Sequence, residues 1–121
     1  MNKVAQAAEK QPFRLRLQGA FLRRTDLSHT NLKRADLSRA DFAHASFRGA
    51  DFEDAILHGT NLSGADLTDA RFPGTDFRDA VVEGAIFKGA DLSGAKNLTP
   101  SQLKSAVIDD ATKLPVNTAS S

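Results

Sequence analysis

The sequence predicts an all-β solenoid, a chain wound as a regular coil, and three observations support this fold class. Residues 15–94 repeat one five-residue pattern sixteen times without an insertion. The centre of each repeat, every fifth residue from Leu17 to Leu92, is Leu or Phe, with Val82 as the one exception. The residue two positions before each centre is Ala or Thr, except for Leu15.

A period of five residues excludes both a single helix and a flat strand. A helix turns about 100° per residue, so residues five apart drift around its surface and form no common apolar stripe. A strand alternates faces at every residue, so an odd spacing sends successive centres to opposite sides. Sixteen centres share one interior only if the chain changes direction once in every repeat, which is the signature of a solenoid.

The charges indicate how many repeats make one coil. Parallel coils stack at about 4.8 Å, so like charges one coil apart are unfavourable. Within residues 15–94, a twenty-residue coil stacks no like-charged pair, whereas fifteen residues would stack seven and twenty-five would stack six. The twenty-residue coil stacks five opposite-charge pairs: Arg16/Asp36, Lys33/Glu53, Arg34/Asp54, Asp51/Arg71 and Arg71/Asp91. The sequence therefore predicts four repeats per coil and four coils.

The same register predicts the interior. The centres form four ladders: Leu17/Leu37/Leu57/Phe77, Leu22/Phe42/Leu62/Val82, Leu27/Phe47/Leu67/Phe87 and Leu32/Phe52/Phe72/Leu92. The Ala and Thr positions also face inward, beside four large side chains in each layer, so only small residues fit there.

The repeat, for example Ala35-Asp36-Leu37-Ser38-Arg39, resembles the A-[DN]-[LF]-x-x motif of pentapeptide repeat proteins. The resemblance covers residues 15–94, which is 80 of the 121 residues. It implies a right-handed quadrilateral β-helix with tight turns at the corners. The stretch after the repeats also resembles the terminal segment often found in this family.

The bulk composition indicates one domain and excludes several kinds of site. The 16 basic and 15 acidic residues leave a net charge of +1, so no global bias toward nucleic acid exists. The absence of cysteine excludes disulfides and thiolate metal sites. No apolar run approaches the length of a membrane span, and we expect a cytoplasmic chain without a cofactor.

The two ends of the chain lie outside the repeat. We expect residues 1–14 to form a leader or a cap over the first coil. Residues 1–12 are either helical or frayed. Phe13 and Leu15 are candidates to cover the N-terminal end of the interior. Residues 95–115 predict a C-terminal capping segment, and residues 116–121 predict a disordered tail.

A helix start is clear within the C-terminal segment. Thr99 is a suitable N-cap, Pro100 suits the first helical position, and Gln102 completes a capping box. We expect the helix to run to Asp109 or Asp110 and to close the last coil with the face formed by Leu103, Ala106 and Val107.

No residue pattern indicates catalysis or metal binding. The acidic candidates are the Asp residues directly before a centre: Asp26, Asp36, Asp41, Asp51, Asp66, Asp76 and Asp91. We expect these carboxylates to point outward and bond turn backbone, because catalysis would need a pocket that shifts their pKa values apart. His29, His44 and His58 fall on different faces and do not stack, so they predict no zinc site. Glycines at 49, 59, 64, 74, 84, 89 and 94 predict turns that need unusual backbone angles.

Charge is polarised along the chain. Residues 15–49 carry seven basic and three acidic side chains, whereas residues 50–94 carry three basic and nine acidic ones. The basic part offers candidate residues for docking an acidic protein partner: Arg23, Arg24, Lys33, Arg34 and Arg39. The simpler alternative is a solvated surface without a partner. Direct nucleic-acid binding is disfavoured because Phe21 is the only outward aromatic residue in the repeats.

The outward Ile56, Val81 and Ile86 are apolar residues in polar positions. They are candidates for a homodimer contact, as is an end of the column, and the C-terminal helix is an alternative cover for Val81 and Ile86.

These observations favour a non-enzymatic scaffold that acts through protein interaction with an unknown partner. Some pentapeptide repeat proteins imitate DNA to protect type II topoisomerases such as gyrase, and the resemblance makes inhibition or protection of gyrase an alternative. The net charge of −2 over residues 15–94, from +4 and −6, makes a weak imitation of DNA. A further alternative is an accessory module of a larger system.

Overall fold

A computed structural model describes residues 14–115, and parallel backbone bridges join each coil to the next. From Arg16 to Lys96 every bridge links residue n to residue n + 20. A coil of twenty residues, four repeats, is therefore observed, and the solenoid is a β-helix built from isolated bridges. The expectations for residues 1–13 and for residues 116–121 lie outside the described residues.

The bridged residues form four columns, which define four faces of the solenoid. Face 1 holds Arg16, Asp36, Ile56, Asp76 and Lys96; face 2 holds Phe21, Asp41, Asn61 and Val81. Face 3 holds Asp26, Ser46, Asp66, Ile86 and Val107; face 4 holds Asn31, Asp51, Arg71, Asp91 and Lys113. Two turn residues follow each centre and lead to the next face.

The repeat over residues 41–45 shows why five residues suffice for one side. The N–H groups of Asp41, Phe42 and His44 donate to neighbouring coils, and the Ala45 N–H closes the turn onto the Phe42 carbonyl. The fifth N–H, that of Ala43, donates to Asp41 Oδ1 at 3.1 Å. Every N–H of this repeat is thereby bonded, which is the condition for stable ordered backbone.

The interior is filled as the register predicted. Every centre from Leu27 to Leu92 is buried, whereas Leu17 and Leu22 in the first coil are only partly buried. The Phe52 and Phe72 rings stack one coil apart with centroids 4.9 Å apart. The buried Thr60 and Thr75 hydroxyls each donate to a carbonyl at 2.7 Å, whereas the buried Thr30 hydroxyl has no hydrogen-bond partner among the described residues.

The C-terminal helix is shorter than expected. Helix α1 spans Pro100–Ser105, with the predicted Thr99 cap and the Gln102 capping box. The expected end at Asp109 or Asp110 is wrong because Ala106 is extended and Val107 joins the ladder beside Ile86. Ladder hydrogen bonds outweigh helix propensity in this segment.

The pairing also continues beyond the last repeat. Lys96 still bridges Asp76, and Lys113 bridges Asp91, two residues beyond the twenty-residue register. Leu98 is buried, whereas Asn97, which the register places over Phe77, is exposed. Leu103 and Ala106 pack against the core, but Val107 remains 40% exposed, so it is not part of an apolar helix face. Within residues 14–115, no helix has the length and apolar composition needed to cross a membrane.

The filled interior predicts that removing volume and adding volume both destabilise the fold. Phe47→Ala removes a fully buried ring that lies 5.1 Å from both the Phe42 and Phe52 rings, and we expect it to lower the free energy of unfolding by about 3–5 kcal/mol. Ala65→Leu adds volume at a fully buried position and should cost about 1–3 kcal/mol through overpacking. Chemical denaturation measures both, and unchanged stability in either variant would contradict the interior.

Candidate interaction surface

The carboxylates before each centre support the turns. Oδ1 of each Asp or Asn in this position accepts the N–H of the residue two positions on, at 3.0–3.1 Å. The acceptors are Asp26, Asn31, Asp36, Asp41, Asp51, Asn61, Asp66, Asp76 and Asp91. The expectation that these side chains bond turn backbone is confirmed.

The second carboxylate oxygen often ties one coil to the one before it. Oδ2 of Asp41 accepts from Arg23 at 2.7 Å, and Oδ2 of Asp66 accepts from Arg48 at 3.2 Å. Each donor lies 18 residues earlier, just after a centre, so the contact runs diagonally between neighbouring coils. The twenty-residue spacing of the predicted ion pairs does not include this diagonal contact, which a spacing of 18 residues would have revealed.

The ion pairs predicted between residues 20 positions apart are therefore realised only in part. Arg71 contacts Asp51 at 2.7 Å, as expected from the twenty-residue register. Lys33, expected to pair with Glu53, instead has its Nζ 3.8 Å from an oxygen of Asp51, because the diagonal carboxylate lies closer to its side chain. These pairs are exposed, and each contributes about 1 kcal/mol or less.

The hydrogen bonds keep the carboxylates ionised. The Arg23 guanidinium and the Ala43 N–H, both bonded to Asp41, lower the pKa of that carboxyl below its ordinary value. Partial burial raises the pKa of Asp66, but hydrogen bonds from Thr68 and Arg48 outweigh burial and the net shift is downward. A general acid needs a raised pKa, so these groups are suited to structure and not to proton donation at neutral pH.

The histidines have separate structural neighbours. His58 Nε2 lies 2.6 Å from Asp76 Oδ2, and Asn97 donates to the other oxygen of Asp76 at 2.9 Å. The His29 ring lies over Gly49, where an added Cβ would come within 2.5 Å of Nδ1. Across residues 14–115, no cluster of three or more His, Asp or Glu side chains could hold a metal ion.

The turn glycines differ at one position from the expectation. Gly49 has a φ of +67°, and so do the other predicted turn glycines to within a few degrees, except Gly94. Gly94 is not among the positive-φ residues; its Cα instead lies close to the Pro73 backbone, which a Cβ would approach to 3.2 Å. The expectation of an unusual backbone angle is therefore wrong for Gly94.

The five basic candidates fall into two groups. Arg23 and Arg24 form the turn after face 2, and Arg39 lies in the turn before it. Lys33 and Arg34 form the turn between faces 4 and 1, diagonally opposite Arg23 and Arg24.

The second group extends onto face 1. Arg14 Nε donates to the Arg34 carbonyl at 2.9 Å, and Arg16 is the first residue of the face 1 column. Four basic residues thus line one edge at the N-terminal end: Arg14, Arg16, Lys33 and Arg34.

The outward apolar residues do not form one patch. Ile56 lies on face 1, Val81 on face 2 and Ile86 on face 3. Helix α1 does not cover Val81, which is 45% exposed, and Phe21 on the same face is 88% exposed. Ile86 is partly covered and bridges Val107.

A shallow surface depression lies beside helix α1. It is lined by Arg78, Asp79, Ala80, Asn97, Thr99 and Gln102. The Gln102 side-chain amide donates to the carbonyls of Phe77 and Ala80, so it serves to attach the helix to the last repeats.

Comparison with known proteins identifies the family. The model of the family described as pentapeptide repeats matches residues 15–42, 35–74 and 60–96, in eight copies. These ranges cover well over half of the sequence, so the chain belongs to the pentapeptide repeat family. No curated protein matches the chain.

Solved structures show the same fold. A pentapeptide repeat protein from the thylakoid lumen of Arabidopsis thaliana is 29% identical, with a TM-score of 0.64 over 82% of this chain and 61% of its own. A pentapeptide repeat protein from Nostoc PCC 7120 is 28% identical, with a TM-score of 0.51 over 79% of this chain and 86% of its own. The fluoroquinolone resistance protein QnrB1 is 20% identical over 89% of this chain and 68% of its own, with a TM-score of 0.36 that supports neither the fold nor a function.

The double role of Asp66 predicts graded effects of substitution. Asp66→Asn keeps an acceptor for the Thr68 N–H and loses the charge that pairs with Arg48, so we expect a loss below about 1 kcal/mol. Asp66→Ala leaves the Thr68 N–H without its acceptor and should cost about 1–2 kcal/mol. Denaturant titration at neutral pH measures both, and equal losses would contradict the Oδ1 role.

The lowered pKa also fixes the sign of the acid response. Because the folded pKa of Asp66 lies below its unfolded value, the ionised carboxylate stabilises the fold above about pH 3.9. That stabilisation is lost as the pH falls through the folded pKa. Because Asp66→Asn removes this ionisable carboxyl, the free energy of unfolding of the variant should fall less between neutral and acid pH than that of the wild-type chain.

Proposed function

We propose that this protein is a non-enzymatic scaffold that acts by binding another protein. The fold we propose is a right-handed, four-sided column of four coils, closed at its C-terminal end by the segment that contains helix α1. The observation that carries the proposal is the use of the outward carboxylates in turn and cross-coil bonds. Such side chains rigidify a surface and leave no group poised for a reaction.

The scaffold presents surfaces that are convex and rigid. The interior is filled by Leu, Phe and small residues, so ligands have access only to the outside. In repeat proteins of this kind, contacts between neighbouring coils set the structure, and outward residues vary without changing it. Recognition then depends on which side chains each face presents.

The partner surface we propose is the basic edge at the N-terminal end. Arg16 lies on face 1 and Lys33 lies in the turn between faces 4 and 1, where Arg14 Nε donates to the Arg34 carbonyl. Lys33 is only 3.8 Å from its carboxylate, a weak exposed contact that a partner carboxylate can replace. An acidic protein surface is the complementary partner, and long-range attraction would accelerate its association.

Imitation of DNA receives no specific support. A DNA mimic needs a continuous acidic surface, and residues 15–49 carry a net charge of +4. A gyrase supercoiling assay with the purified chain should show neither inhibition nor protection from a quinolone. Either effect would favour the gyrase alternative over the scaffold.

A matched pair of variants tests the docking edge. We expect Arg16→Gln combined with Lys33→Gln to weaken binding of an acidic partner about two- to thirtyfold, from roughly 0.2–1 kcal/mol for each exposed charge pair. Arg78→Gln combined with Lys88→Gln removes the same charge from the acidic part and should leave binding unchanged.

The measurement starts with capture from a cell lysate by the immobilised wild-type chain and by both variants. A recovered protein is then purified, and its affinity for each form is titrated at two salt concentrations. Equal affinity for all three forms would contradict the basic edge as the docking site.

A further inference from the structure

The two most exposed large apolar side chains of the described residues share one face. Phe21 is 88% exposed and Val81 is 45% exposed, and both belong to the face 2 column. They occupy its opposite ends, with Asp41 and Asn61 between them. Phe21 and Val81 are sixty residues apart in the sequence, so three coil spacings, or about 14 Å, separate them along the column.

We propose that face 2 binds face 2 of a second copy of this chain in an antiparallel, two-fold symmetric dimer. The two-fold axis runs parallel to the extended segments, midway between Asp41 and Asn61. Under this operation each column opposes its own equivalent in reverse order, as an isologous interface requires. Phe21 then meets Val81 of the second copy, and Asp41 lies opposite Asn61 of the second copy. The Asp41 carboxylate also keeps its bonds to Arg23 and Ala43 of its own chain.

The charges agree with the same operation. The residues just after the centres of face 2 are Arg23, Ala43, Ser63 and Glu83. The axis places Arg23 opposite Glu83 and Ala43 opposite Ser63. Glu83 is exposed and has no side-chain partner among residues 14–115, so its carboxylate is available to a second copy.

The turns beside face 2 are also complementary in size. After the face, Arg24 opposes Gly84 and His44 opposes Gly64. Before the face, the opposing pairs are Gly19 with Asp79 and Arg39 with Gly59. Each larger side chain therefore faces a glycine, and the corners of the two copies leave room for each other.

Other faces lack this match under the same operation. On face 1, Asp36 would oppose Ile56, and moving the axis to Ile56 would oppose Asp36 with Asp76. On face 3, Asp26 would oppose Ile86. Face 4 opposes Asp51 with Arg71 but contains no exposed apolar residue to anchor the contact.

The size of the face sets the expected strength. Four coils at about 4.8 Å and a width of three extended residues give a flat area of roughly 200 Å². Stable complexes bury about 800 Å² on each partner, so we expect a weak dimer that forms with rising concentration. The dimer goes beyond the scaffold role and is independent of it, since Arg16 on face 1 and Lys33 in the turn between faces 4 and 1 stay accessible.

Sedimentation equilibrium of the full chain from micromolar to millimolar concentration tests the dimer. Phe21→Ser and Val81→Ser should each raise the dissociation constant about tenfold or more, as for buried apolar anchors. Val107→Ser, an exposed apolar residue on face 3, is the matched control and should leave it unchanged. Circular dichroism establishes that each variant remains folded.

A charge exchange gives a second, independent readout. Arg23→Glu and Glu83→Arg should each weaken self-association, whereas an equimolar mixture of the two variants should restore dimers. Within one chain the two residues are about 14 Å apart, beyond the screening length of about 8 Å at physiological salt, so restoration reports contact between copies.

Two results would overturn the proposal. One is a wild-type chain that remains monomeric at every concentration. The other is a dimer that survives Phe21→Ser and Val81→Ser but is lost in Val107→Ser, which would locate the contact at the C-terminal end.

Discussion

The ladder of parallel backbone bridges between residues n and n + 20 is the constraint on which the rest of the structure depends. It brings every fifth residue to the same interior and leaves one N–H of each repeat without a backbone acceptor. Oδ1 of Asp41 and of its equivalents accepts that N–H, which explains why a short acidic or amide side chain precedes so many centres. A surface carboxylate is thus part of the backbone structure, and its ionisation is tied to stability.

The register and interior could be predicted because both follow from local sequence regularity. Like charges excluded fifteen- and twenty-five-residue coils, and Phe52 lies beneath Phe72 as the twenty-residue register requires. The helix start at Thr99 was also predictable from capping chemistry. The end of the helix at Ser105 was not predictable. The bridge between Val107 and Ile86 prevents the helix from continuing, and the local sequence does not indicate that bridge.

The candidate surface was predicted less completely. The sequence identifies Arg23 and Lys33 as basic residues of one region. They lie in different turns of the solenoid, which becomes clear only when each residue is assigned its place in the twenty-residue coil. The diagonal contact of Arg23 with Asp41 depends on how side chains lean between coils, which composition does not show. Apart from the Asp and Asn side chains that accept turn N–H groups, outward positions are free of the interior's constraints, so their residues indicate function more than fold.

The twenty-residue ladder is the central claim, and solution NMR tests it most directly. Nuclear Overhauser contacts between the backbone protons around Asp51 and Arg71, together with contacts between the Phe52 and Phe72 rings, are the predicted result. Backbone contacts from Asp51 to residues fifteen or twenty-five positions away, without contacts to Arg71, would contradict the account.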